Sequence, residues 1–323
     1  MTAAARRAKD RVATLVVSVA GLASVVILLG IFALLLRGGV LALEGGIETQ
    51  PLSPAERVEL APEDVAALDA MRITRPTLRG LLSDPTWAPS ADQAQWGLTP
   101  MIVSTLLTTA IAMVLAVPLG FAAAAGIAYV LRGRLREFTK LGVELLAALP
   151  SVVLGFIGLQ VIGPWLGGLT GRPGGLSALH GGLLLAIMAL PTIVSIAEDA
   201  LRAVPRTLVE GSLALGADRF TTLVRVVMPS ARSGLLAAAM LGAGRAIGET
   251  MTVIMVTGNA VAMPGSVFDP VRTLTATIAI ELGEVPADST HYYALFGVGL
   301  MLFSISLLVN LCASWVLRTE ARA

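Results

Sequence analysis

Two stretches, Glu210-Gly211-Ser212-Leu213-Ala214-Leu215-Gly216 and Val226-Val227-Met228-Pro229, stand in a polar segment between two long apolar runs. Gly216 is suited to the left-handed backbone position that commonly ends a helix. Asp218 can N-cap a second short helix, and Pro229 would stop that helix before the next apolar run. Within it, apolar residues recur at i, i+3, i+4 and i+7: Phe220, Leu223, Val224 and Val227. The pattern predicts two short amphipathic helices joined by a tight turn.

The composition indicates a membrane protein. Hydrophobic residues make up 55% of the chain and charged residues 14%, whereas soluble domains average about 25% charged. Six apolar stretches could cross a hydrocarbon core, which takes about 20 helical residues. They are Val12–Leu36, Leu98–Leu131, Leu145–Trp165, Leu176–Ala197, Ser233–Val261 and Tyr292–Leu317. We therefore predict an all-α polytopic membrane protein with six transmembrane helices.

The distribution of Lys and Arg predicts the orientation of these helices. With the N-terminus inside, fifteen Lys and Arg side chains lie in cytoplasmic segments and seven outside. Short cytoplasmic loops are the ones that carry the positive excess. Both termini are therefore expected in the cytoplasm, and so is the segment 202–232, which we call the linking segment. The first apolar run is too long for the core of a signal peptide and is interpreted as a retained anchor.

The spans divide the chain into four parts. Residues 1–37 form the cytoplasmic N-terminus and first span, and residues 38–97 form an extracytoplasmic loop. Helix-start signals at Ser53 and Pro62 predict short helices in that loop. Residues 98–317 form the core with the other five spans, and residues 318–323 form a cytoplasmic tail.

Two ionisable residues lie in the fifth apolar stretch, where a charge is costly and marks a candidate functional site. Arg245 and Glu249 are four residues apart, so on a continuous helix they share one face and come within reach of each other. They could form an inert buried pair, or Arg245 could offer donors to a tetrahedral anion in transit while Glu249 moderates its hold. Gly244 and Gly248 form a small-xxx-small face on which another helix could pack.

Two prolines fall inside apolar stretches and are followed by hydroxyl residues, in Pro150-Ser151 and Pro191-Thr192. The hydroxyls of Ser151 and Thr192 could bond to the backbone carbonyls that proline leaves free. They could also line a path for an anion. Glu198 lies near a cytoplasmic helix end, where solvation is the simpler explanation of its charge.

Several motifs resemble one family. The linking segment is similar to the Glu-Ala-Ala (EAA) motif of ATP-binding-cassette importer permeases, with Glu, Gly and Pro at its spacing but Gly211-Ser212 in place of Ala-Ala. The stretches that resemble the PstC-type permeases of bacterial phosphate importers are Gly244–Met251, Val256–Asn259, Leu149–Phe156, Trp96–Pro100 and Ser104–Leu106. In the last of these, Ser104 stands where Gly is usual.

The resemblance implies a type I importer permease in the bacterial inner membrane. Its partners would be a similar PstA-type permease, a dimer of PstB-type ATPase subunits, an extracytoplasmic PstS-type phosphate-binding protein and inorganic phosphate, with no nucleic acid. The substrate path would include Arg245, Glu249, Thr250 and Ser151. The ATPase would contact Glu210, Gly216, Ala217, Asp218, Arg219, Phe220 and Pro229.

The sequence has no Gly-x-x-x-x-Gly-Lys-Ser/Thr phosphate loop. We therefore expect no enzyme activity and no cofactor or metal in this chain, with ATP and Mg²⁺ bound by the partner ATPase. Two alternatives stay open. The substrate could be another oxyanion, such as molybdate, sulfate or phosphonate. The chain could also be an ATP-independent anion carrier or channel, although such a protein has no need for the linking segment.

Overall fold

The computed structural model describes residues 3–44, 76–91 and 94–320, most of which are helical. The helices are α1 (Ala3–Glu44), α2 (Leu78–Ser83), α3 (Thr99–Ala125), α4 (Gly133–Ala148), α5 (Ser151–Ile157), α6 (Gly163–Thr170), α7 (Ala178–Arg202), α8 (Arg206–Ala214), α9 (Arg219–Thr222), α10 (Met228–Ser230), α11 (Arg232–Ile247), α12 (Met251–Val256), α13 (Leu274–Glu281) and α14 (Thr290–Glu320). Wide π-helical turns follow α3, α5 and α9 at Gly126–Val130, Gly158–Ile162 and Leu223–Val227. Two short strands, β1 (Trp87–Ala88) and β2 (Gln95–Trp96), pair antiparallel.

Five helical stretches in the described part of the chain are long and apolar enough to cross a membrane. A sixth is obtained when the pair Arg219–Ser230 and Arg232–Ile247, which meet at a bend of 74°, counts as one span. The first, second, fourth and sixth predicted spans correspond to long helices. The structure confirms a mostly helical fold with several candidate membrane spans and changes the bounds of the third and fifth spans.

The predicted third span, Leu145–Trp165, starts too early. Helix α4 ends at Ala148, Leu149 is extended at ψ 131°, and a new helix begins at Ser151. Pro150 is the cause, because its ring disfavours helical geometry in the residue before it. The apolar span of this region is therefore 151–170.

The predicted fifth span, Ser233–Val261, is broken. Helix α11 ends at Ile247, residues 248–250 are not helical, and α12 begins at Met251. Glycine is a weak helix former, and the break falls at Gly248. The Glu249 carboxylate then accepts a hydrogen bond from the backbone N–H of Thr252 at 3.3 Å, in the first turn of the new helix.

Helix α7 is the centre of the core and packs against both α3 and α11. Its Ile193 is fully buried, and glycines on both neighbours allow close approach. A Cβ at Gly120 of α3 would lie 2.6 Å from Ile193, and one at Gly242 of α11 would lie 2.5 Å from it. Within the part of the chain that the structure describes, no neighbouring helix lies within 4 Å of a Cβ built at Gly244 or Gly248, because α11 turns its other face to α7. The small-xxx-small contact is therefore not made within this chain and stays a prediction for another helix.

A buried carboxylate joins α4 to the end of α7. Glu198 is only 3% exposed and pairs with Arg202 at 2.8 Å, Arg136 at 3.5 Å and Lys140 at 3.7 Å. Its charge is therefore balanced by cations from two helices, and the expectation that solvent balances it is wrong.

At the opposite end of the molecule, the β-hairpin is tied to α13 and α14. Glu281 accepts hydrogen bonds from Trp87 Nε1 at 3.0 Å and Arg272 Nη1 at 2.7 Å, and it lies 2.8 Å from His291 Nε2. One short helix of this loop region, α2, is described. The helices predicted at Ser53 and Pro62 lie outside the described residues.

Candidate functional site

Arg245 lies in the last turn of α11, next to the break in the fifth span. Its side chain is exposed, and its Nη1 donates a hydrogen bond to Thr192 Oγ1 of α7 at 3.4 Å. This is the hydroxyl that follows Pro191, so Thr192 turns to a side chain of another helix. Of the two roles considered for that hydroxyl, the contact favours lining a path over repair of its own helix.

The predicted contact between Arg245 and Glu249 is wrong. Among the described residues no ion pair joins them, because α11 ends at Ile247 and the i, i+4 geometry of a helix is lost there. The backbone N–H of Glu249 instead bonds to the carbonyl of Ala246 at 3.4 Å. The guanidinium of Arg245 therefore keeps most of its donors available.

Glu249 organises the break itself. Its carboxylate holds the N–H of Thr252, and its backbone carbonyl accepts a hydrogen bond from the hydroxyl of Thr275 at 2.9 Å. One residue thus ties the start of α12 to α13. Glu249 is thus held in place where α11, α12 and α13 meet. Arg245, one helical turn earlier, is exposed.

Two other predicted path residues lie close to this break. The hydroxyl of Thr252 donates to the backbone carbonyl of Ser151 at 3.0 Å, which brings the start of α5 against α12. Thr250 lines a cavity of 560 Å³ together with Thr275 of α13 and Leu302 of α14. The structure therefore brings Ser151, Glu249 and Thr250 around one discontinuity, where irregular backbone at membrane depth is expected only beside protein or a water-filled cavity.

The linking segment has the two helices and the turn that the sequence predicts. Gly216 has φ +86°, its N–H bonds to the carbonyl of Leu213, and the N–H of Ala217 bonds to the carbonyl of Ser212. These two bonds form the Schellman ending of a helix. The turn leaves Leu215 91% exposed at its tip.

The turn at Gly216 divides the linking segment into a first arm, Arg206–Ala214, and a second arm, Arg219–Ser230. Asp218 caps the second arm. Its carboxylate accepts hydrogen bonds from the backbone N–H groups of Phe220 and Thr221. The hydroxyl of Thr221 and these N–H groups hold the pKa of Asp218 below its ordinary value. Because the lowered pKa belongs to the folded state, the cap is complete at neutral pH and is lost only as the pH falls through that value.

Two features of the second arm differ from prediction. The wide turn at Leu223–Val227 rotates the apolar stripe, so Leu223 and Val227 are buried while Phe220 is 71% exposed. Pro229 does not stop the helix, which continues to Ser230 and bends beyond it. A π turn before a proline relieves the clash of its ring with the carbonyl four residues earlier.

A hydroxyl pair that the sequence reasoning missed joins the arms of the linking segment. The hydroxyls of Ser212 and Thr222 lie 2.9 Å apart, and Thr222 is 3% exposed. Ser212 stands where the resembling motif has alanine. A polar residue at that place, with a threonine ten residues later, was the only signal for this contact.

The chain resembles known proteins both in sequence and in fold. Residues 116–319 match the family model described as "binding-protein-dependent transport system inner membrane component". The chain is 37% identical over 227 residues to the probable ABC transporter permease protein YqgH of Bacillus subtilis, covering 70% of this chain and 74% of that protein. It is 39% identical over 251 residues to the phosphate transport system permease protein PstC 1 of Mycobacterium tuberculosis, covering 71% and 74%.

The fold comparison agrees with the family match. A solved structure titled as an inward-facing conformation of the MetNI methionine ABC transporter aligns with a TM-score of 0.54. The alignment covers 68% of this chain and 95% of that chain at 17% identity, which shows a shared fold.

Proposed function

Since the chain belongs to the family of binding-protein-dependent transport system inner membrane components, we propose that it is a permease subunit of an ATP-binding-cassette importer and carries inorganic phosphate. The named relatives that match over about 70% of this chain include several PstC phosphate permeases, and these names support phosphate as the substrate.

The observation that carries the proposal is the exposed guanidinium of Arg245 beside a break in a membrane span. Among the described residues, its hydrogen-bond partner is the neutral hydroxyl of Thr192 at 3.4 Å. A guanidinium offers five N–H donors in a fixed fork that matches tetrahedral oxyanions. The Glu249 carboxylate accepts a hydrogen bond from the N–H of Thr252 and makes no ion pair with Arg245 among the described residues. We therefore expect release of the anion to depend on movement of the helices around Arg245.

The shape and exposure of the linking segment support the proposal that an ATPase binds there. Its tip exposes Leu215 and its second arm exposes Phe220, and the Schellman turn and the Asp218 cap fix the shape of both arms. We propose that a dimer of PstB-type ATPase subunits docks on this face and binds the ATP and Mg²⁺. A PstA-type permease would complete the path, and a PstS-type binding protein would deliver phosphate on the outer side.

Uptake of radiolabelled phosphate by proteoliposomes that contain the whole complex tests the proposal. We expect ATP-dependent uptake that arsenate competes and that sulfate and molybdate leave nearly unchanged. Preferential competition by sulfate or molybdate would assign the permease to another oxyanion, and uptake without ATP would assign it to the carriers or channels.

The same assay tests Arg245. Hydrogen bonds to a charged group contribute about 1.5–3 kcal/mol, so Arg245→Gln should lower kcat/KM for phosphate about 10- to 150-fold. Arg245→Lys keeps the positive charge but lacks the forked donors, so its kcat/KM should lie between that of the wild type and that of Arg245→Gln. Normal uptake by Arg245→Gln in an assembled complex would remove its role.

A further inference from the structure

A cavity of 440 Å³ lies where the second span meets the linking segment. It is walled by Tyr129 and Val130 at the end of that span and by Leu213, Phe220 and Leu223 of the linking segment. The candidate span ends at Val130, which is 67% exposed. The apolar wall of the cavity is therefore continuous with a surface that faces lipid.

Two arginines, Arg132 and Arg219, line the same cavity. Neither makes an ion pair or a hydrogen bond with another side chain in the part of the chain that the structure describes. A second cavity of 530 Å³ shares Tyr129 and Val209 as walls and adds Arg206 and the carboxylate Glu210. Arg202 also lines it, but its charge is balanced by Glu198. The pair of cavities thus combines apolar walls with a clear excess of positive charge.

The tyrosine between the two cavities is fixed in place. The Tyr129 hydroxyl donates to the backbone carbonyl of Leu201 at 3.0 Å, at the end of α7. Tyrosine and arginine at the end of a span mark the interface between lipid and water. Basic pockets between helices on the cytoplasmic side are suited to anionic lipid headgroups.

From this geometry we infer that the cavity is a binding site for one anionic phospholipid. The headgroup phosphate contacts Arg132 and Arg219, and the upper part of an acyl chain lies along Val130, Leu213 and Leu223. A soluble phosphate ester would use the arginines alone, whereas the lipid uses both walls of the cavity. The site goes beyond the proposed transport function and rests on the predicted cytoplasmic location of the linking segment. It shares Arg219 and Phe220 with the face on which we propose that the ATPase docks, so the experiment below follows the ATPase subunits as well as the lipid.

The bound lipid would connect the membrane to the surface on which we propose that the ATPase docks. Phe220 lines the cavity and is also exposed on the second arm of the linking segment. Occupancy by lipid would therefore hold that arm against the end of the second span.

Native mass spectrometry of the purified complex, titrated with phosphatidylglycerol, tests the site. Phosphatidylcholine and soluble glycerol phosphate are the comparison ligands. One basic residue near an anionic lipid surface changes affinity about fivefold, so Arg132→Gln with Arg219→Gln should lower phosphatidylglycerol affinity about 25-fold. Replacement of both by Lys should keep most of the affinity, and the subunits retained in the spectra of each variant show whether its complex assembles.

Arg225→Gln is the matched control, since Arg225 is an exposed arginine of the same segment that does not line the cavity. It should leave phosphatidylglycerol affinity within twofold. Equal binding of phosphatidylcholine, or of glycerol phosphate as tightly as phosphatidylglycerol, would overturn the site. So would a double Gln variant that keeps the lipid but loses the ATPase subunits, because the cavity would then belong to the ATPase interface.

Discussion

Replacement of Gly216 by alanine tests how much one left-handed backbone conformation contributes to the coupling of ATP hydrolysis to phosphate transport. Gly216 has φ +86°, and a Cβ built on it meets nothing within 4 Å. The cost of the substitution is therefore the left-handed backbone alone, about 1–2 kcal/mol for a residue with a Cβ. If the ATPase binds the turn in this shape, its affinity for the permease should fall about 5- to 30-fold, and Gly216→Val should have a larger effect.

The assay measures phosphate transported per ATP hydrolysed and the ATPase subunits retained by the solubilised complex. Gly211→Ala is the matched control, because Gly211 lies five residues earlier in α8 and also has open space at its Cβ position. Alanine is the better helix former, so this variant should couple at least as well as the wild type. Equal behaviour of the two alanine variants would refute the reasoning.

Three further predictions concern single contacts. Thr192→Val removes a hydroxyl that accepts a hydrogen bond from the charged Arg245 guanidinium. At 3.4 Å the bond should be worth about 1.5 kcal/mol, the low end for a charged group, so kcat/KM for phosphate should fall about 10-fold. Thr192→Ser should restore it, and an unchanged value in Thr192→Val would show that the hydroxyl does not position Arg245. Ser212→Ala and Thr222→Val should show a coupling of about 1 kcal/mol in a double-mutant cycle of thermal unfolding, and additive effects would mean that the hydroxyl pair does not join the arms. Gly242→Ala should destabilise the complex by about 1–3 kcal/mol through overpacking, whereas Gly244→Ala, which has open space at its Cβ position within this chain, should not. The reverse order would show that another helix packs on Gly244.

The sequence predicted most of the fold because apolar runs of span length have few alternatives in a membrane. It also predicted the turn at Gly216 and the cap at Asp218, since each depends only on neighbouring residues. Those local rules gave no information on how far apart two helices lie. Contacts such as the Thr192–Arg245 hydrogen bond depend on the packing of α7 against α11.

The errors in the third and fifth spans share one physical cause, which is the assumption that a helix continues wherever the sequence stays apolar. At Pro150 the residue before the proline cannot stay helical. At Gly248 a break separates Arg245 from Glu249 and sends the two side chains to different partners. Hydropathy averaged over a span does not report such breaks, because the apolar residues on either side outweigh the few polar residues at the break.

Site-specific photocrosslinking in cells tests the central claim most directly, which is that an ATPase docks on the turn of the linking segment. A photoreactive residue at Leu215, which is 91% exposed at the turn, should capture the ATPase subunit. The same residue at Leu169, 67% exposed near the other end of the core, should capture none. The account would be contradicted if repeated experiments captured the ATPase at neither position, or captured it only at Leu169.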